Sequence, residues 1–89
     1  MIGRRPQDGI IHKVSERRGW FIVQFVRGDF AAFEVIQLRA EFEVGDHVRV
    51  DPKALGRTEL ENVTRDCRLR VFGQTGPSSL NACLRTMGN

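Results

Sequence analysis

The stretch that decides the fold is Glu16-Arg17-Arg18-Gly19-Trp20-Phe21-Ile22-Val23-Gln24-Phe25-Val26. Two arginines and a glycine lead into a run of β-branched and aromatic residues, the chemistry of a strand. Alternate side chains of a strand face opposite ways, so Trp20, Ile22 and Gln24 share one face and Phe21, Val23 and Phe25 the other. The Phe21 face reads as core. The opposite face sets a tryptophan beside two cations. A flat π surface next to guanidinium groups suits single-stranded nucleic acid, whose bases stack and whose phosphates pair. The plainer reading of the same residues is a half-buried tryptophan with solvated arginines.

Outward from this strand, the neighbouring segments are short and punctuated by turns. Residues 1–8 hold Gly3, Pro6 and two arginines and read as a flexible basic arm. Gly9 to Val14 is a strand, and Ser15 to Gly19 a hairpin connection. Arg27-Gly28-Asp29 is a second tight turn. Phe30 to Ile36 forms a third strand. Gln37 to Val44 is a linker in which Leu38 and Phe42 are candidate core plugs. His47-Val48-Arg49-Val50-Asp51 alternates as a fourth strand, ended by Pro52. Residues 53–58 form a loop, and Glu59 to Arg65 a fifth strand. Cys67-Arg68-Leu69-Arg70-Val71-Phe72 alternates apolar and basic, as a sixth strand or an extension of the fifth. Ser78 is a candidate cap for a helix over 79–87, with Leu80, Cys83, Leu84 and Met87 at helical spacing. Short strands, tight turns and no long helix predict an all-β fold, a small antiparallel barrel, whose closure removes exposed sheet edges.

Composition narrows the function classes. At 89 residues the chain is one domain with a modest core and little volume for an enclosed substrate cavity. No apolar run reaches ~18 residues, so no membrane span is expected. Arg4-Arg5 is not followed by an apolar stretch, so no signal peptide is read and the expected location is cytoplasmic. Cys67 and Cys83 then read as reduced thiols. The net charge of +3 is unevenly spread. Residues 1–27 carry six Lys/Arg against two Asp/Glu, residues 28–62 four against eight, and residues 63–89 four against one. Basic ends converging on one face would gather polyanions.

The order Gly9-x-Ile11, Gly19-Trp20-x-Ile22-Val23, Gly28-Asp29-Phe30, Val44-Gly45-Asp46-x-Val48-x-Val50 and Glu61-Asn62-Val63 resembles a cold-shock domain over residues 9–65. The resemblance implies a five-stranded OB-type barrel binding single-stranded RNA or DNA on its second and third strands. Residues 66–89 then form a C-terminal extension without counterpart. Arg18-Gly19-Trp20 falls where the family carries its basic-Gly-aromatic motif. Departures are as informative. Lys13 stands at the family's first-strand tryptophan, Phe21 and Ile22 at its glycine and second aromatic, and Phe30-Ala31-Ala32-Phe33 at its Val-Phe-Val-His motif. The platform is thereby reduced to Trp20 and Phe33. Each lost ring removes about 1–3 kcal/mol of stacking. Phosphate contacts would have to compensate, which makes binding less base-selective and strongly salt-dependent.

The resulting expectation is a non-catalytic binder of single-stranded nucleic acid, RNA before DNA. Trp20 and Phe33 stack bases, Ile22 gives apolar contact, and His12, Lys13, Arg17, Arg18 and Arg27 hold phosphates. The alternative is an OB-type barrel that has lost this ligand and serves as a protein-interaction or dimerisation module, using Trp20, Ile22 or the tail helix. No cofactor is expected. His12, His47, Cys67 and Cys83 do not sit at metal-ligand spacing, and no metal site is read. No nucleophile elbow or glycine-rich phosphate loop is present, so no enzyme is expected.

Overall fold

The computed structural model describes residues 6–88, so most of the sequence-predicted basic arm lies outside the described residues. Six strands and one helix follow in order: β1 (Gln7–Ser15), β2 (Trp20–Phe25), β3 (Phe30–Val35), β4 (His47–Val50), β5 (Gly56–Asn62), β6 (Cys67–Gly73) and α1 (Leu80–Thr86). The strands close into an antiparallel barrel in the order β1-β2-β3-β6-β5-β4, with β4 returning to β1. The all-β barrel is thus as expected, but it has six strands rather than five.

The extra strand is β6. It lies between β3 and β5, pairing Val35 with Val71 on one side and Leu60 with Leu69 on the other. Its alternation is that of a barrel stave, with Leu69 and Val71 buried and Arg68, Arg70 and Phe72 outside. Closure therefore requires residues beyond the segment that carries the family resemblance. The fifth strand also begins earlier than its alternating core suggests, at Gly56 rather than Glu59.

The inward faces of all six strands meet in one cluster, built around Ile11, Phe21, Phe25, Phe33, Val48, Leu60 and Val71. The parity of β2 decides which residues enter it. Phe21, Val23 and Phe25 point inward as the alternation predicts. Phe42, from the linker, packs on Phe21 with ring centroids 5.1 Å apart, whereas Leu38, the other candidate plug, is 91% exposed.

Two glycines fix local geometry. Gly28 adopts φ 100° in the β2–β3 turn, where its N–H donates to the Phe25 carbonyl at 2.9 Å. That backbone region costs an L side chain strain, which glycine avoids. Gly73 ends β6 directly beneath the 54–55 backbone, and a Cβ there would overlap the Ala54 carbonyl oxygen. Backbone cannot swing aside as a flexible side chain can. Gly73→Ala is therefore expected to cost about 1–3 kcal/mol, seen as a lowered thermal midpoint; an unchanged midpoint would contradict this packing.

Candidate nucleic-acid interface

The face expected to bind is the outer surface of β1, β2 and β3. Register places Trp20, Ile22 and Gln24 of β2 opposite Glu34, Ala32 and Phe30 of β3. On the other side Ser15, Lys13 and Ile10 of β1 lie opposite Trp20, Ile22 and Gln24. A bulge between Ile11 and Lys13 shifts this register by one residue. An extra residue in one strand re-aims side chains locally, and His12 and Lys13 are both exposed there.

Helix α1 lies on this face. Ile22 and Ala32 form a second buried cluster with Cys83 and Met87 of the helix segment, flanked by half-buried Trp20, Phe30, Leu80 and Leu84. A seven-residue helix is marginal alone and needs such docking. Its approach is set by the chain after β6. Gln74 N–H donates to the Ala32 carbonyl, Thr75 Oγ1 accepts from Ala32 N–H, and Ser78 exchanges two backbone bonds with Phe30. Ser79, not Ser78, caps the helix: its Oγ accepts from Ala82 N–H at 3.1 Å. At the far end Arg18 Nη1 donates to the Met87 carbonyl at 2.9 Å. Burial pushes the Cys83 thiol upward in pKa, which keeps it protonated and apolar in character.

Apart from half-buried Trp20, the sequence-predicted residues separate into three groups. Phe33 is fully buried in the barrel core, against Phe21 with centroids 6.0 Å apart, so it cannot stack a base. Ile22 faces outward but is fully buried beneath α1, and Arg18, though exposed, is engaged at the helix end. His12, Lys13, Arg17 and Arg27 are exposed. Among the described residues Lys13, Arg17 and Arg27 make no ion pair, and His12 meets the Phe30 ring edge-on at 5.3 Å.

These exposed basic side chains follow the β1–β2 hairpin. Arg17 sits at its turn, His12 and Lys13 at the bulge, and Arg27 beyond the opposite end of β2. A six-residue strand is about 20 Å long, so the row extends well beyond the width of one phosphate. Two half-buried rings border it, Trp20 near the hairpin turn and Phe30 against His12.

Sequence reasoning missed Phe30, whose ring backs His12, and the exposed Phe72 on the far side of the barrel. The signal for Phe72 was present: it shares a strand face with Arg68 and Arg70. Among the described residues no helix is long and apolar enough to cross a membrane. Comparison with protein-family models, curated proteins and solved structures finds no match.

Proposed function

We propose that the protein is a non-catalytic binder of single-stranded nucleic acid whose affinity comes from phosphate contacts along the β1–β2 hairpin. The observation that carries this reading is the row of exposed basic side chains, Arg17, His12, Lys13 and Arg27, of which Lys13, Arg17 and Arg27 make no ion pair among the described residues. Unneutralised cations bind phosphates by releasing counterions, without reading bases. Trp20 contributes one stacking surface at the margin of α1. Phe33 and Ile22 have no part in it.

The chain has one tryptophan and no tyrosine, so its emission reports Trp20 alone. A mixed single-stranded RNA heptamer should quench that emission at low salt, with DNA as comparison. Three phosphate contacts give a slope of log affinity against log salt of about −2. The double variant Lys13→Ala, Arg17→Ala should bind at least about tenfold more weakly and with a flatter slope. Both side chains are exposed, so the barrel should persist. Equal affinity in the variant, or no quenching at millimolar oligonucleotide, would remove the assignment.

The second reading, a barrel serving protein interaction, is favoured by one observation: α1 covers Ile22 and Ala32, where stacking would otherwise occur. A dimer in sedimentation that survives high salt would support it over nucleic-acid binding.

A further inference from the structure

On the opposite wall of the barrel, a groove of about 740 Å³ runs over the outer faces of β4, β5 and β6 and reaches Ile36 beyond β3. Its charges are not equally committed. Arg49 Nε is held by Asp8 at 2.7 Å, and Arg68 lies 3.7 Å from Glu59. Arg57 and Arg70 make no ion pair among the described residues. Register brings these two together around one ring: Arg57 stands opposite Phe72 across the β5–β6 pair, and Arg70 lies two residues before Phe72 on the same face. Phe72 is 38% exposed and Ile36 41%, and the Ile36 N–H donates to the Arg70 carbonyl at 3.0 Å. One end of the groove thus offers an aromatic surface, an aliphatic neighbour and two guanidinium groups that make no ion pair among the described residues, with Glu59 opposite Arg70 and Glu34 opposite Phe72 in register.

We infer that this end is a binding site for a nucleoside monophosphate, distinct from the hairpin surface proposed above. A planar base suits the Phe72 ring and Ile36, and a terminal dianionic phosphate suits the guanidinium forks of Arg57 and Arg70. The groove's size is that of a small-ligand site. The remaining charges select against a longer polyanion. Glu59 stands opposite Arg70 and two residues beyond Arg57 on the same strand face, and Glu61 and Asp51 also line the groove. They would repel a continuing phosphodiester chain, whereas carboxylates accept hydrogen bonds from sugar hydroxyls. The ligand therefore ends at its phosphate instead of running on through the groove.

The test is a titration of the full, ¹⁵N-labelled chain with 5′-AMP, 5′-UMP and inorganic phosphate, followed by NMR. Saturable shifts at the amides of Ile36, Arg57, Arg70 and Phe72 are expected at millimolar nucleotide, with inorganic phosphate about tenfold weaker for want of the ring contact. Phe72→Ala should bring 5′-AMP down to the affinity of phosphate. Arg57→Gln with Arg70→Gln, both at exposed positions, should abolish the response to either while leaving the spectrum otherwise folded. Equal affinity for phosphate and nucleotide, or shifts confined to the His12–Arg17 surface, would overturn the inference. So would an acidic heptapeptide that saturates the same amides more tightly than 5′-AMP, which would make the groove a peptide-docking surface. Loss of RNA binding in the Lys13→Ala, Arg17→Ala variant with the nucleotide response intact would separate the two sites.

Discussion

Phe33→Ala is expected to lower the unfolding free energy by about 3–5 kcal/mol, the largest effect of any substitution considered. The ring is fully buried, pairs across the sheet with Phe21, and stands opposite Gly73 at the β3–β6 seam. Removing it leaves a cavity at the place where the barrel closes. A domain of this size has about 5–15 kcal/mol in hand at most, so the variant should show a large fall in its urea midpoint. The outcome also discriminates between two placements of the residue. A base-stacking Phe33 on the outer face would leave the midpoint in place and weaken only nucleic-acid affinity. An unchanged midpoint would therefore contradict the described core.

Asp46→Ala should have the next largest effect, about 3 kcal/mol. Asp46 is 4% exposed and Asn62 is fully buried. Asp46 Oδ2 accepts from Asn62 Nδ2 at 2.9 Å, from Arg65 Nε at 2.8 Å and from the Glu43 N–H at 3.1 Å. The carboxylate thus ties the 43–46 turn to the end of β5, and its loss strands a buried amide. Burial alone would push its pKa upward, but the bonds from Asn62, Arg65 and the Glu43 N–H outweigh that and hold it below the usual carboxylate range. The folded state then binds fewer protons than the unfolded chain in acid. This contribution to stability is complete above the unfolded-state value, about pH 4, and is lost as pH falls through the lower folded value. Asp8, between Arg49 and His47, acts in the same direction but is solvated and screened. Urea midpoints measured against pH should fall steeply on the acid side for the natural chain. They should fall less steeply for Asp46→Ala, and parallel curves would show that Asp46 does not carry the linkage.

The strand faces were readable from parity, since alternate side chains of a strand point to opposite sides. Trp20-Ile22-Gln24 against Phe21-Val23-Phe25 is such a case, and every inward member is buried. Phe33 shows how a motif can mislead. Aligning Phe30-Ala31-Ala32-Phe33 with a family pattern puts Phe33 among ligand residues, yet its own alternation with Glu34 and its pairing with Phe21 place it inside. Ile22 was assigned to the correct face, but its accessibility depends on where α1 docks. That docking is fixed by backbone bonds between residues 74–78 and β3, contacts more than forty residues apart in the chain that no local pattern encodes. Likewise β6 was visible as an alternating segment, while its position between β3 and β5 is a property of closure.

That closure has a bearing on how the chain is made. With β6 between β3 and β5, a nascent polypeptide that has emerged only through Asn62 carries two half-paired strands, β3 beside β2 and β5 beside β4, each presenting one free backbone edge. Such edges template pairing with other chains. The seam from Phe33 to Gly73 spans much of the molecule, and long-range pairings of this kind form late and slowly. Folding of the barrel therefore waits on the synthesis of residues 67–73, and a ribosome paused before them holds a chain exposed to self-association.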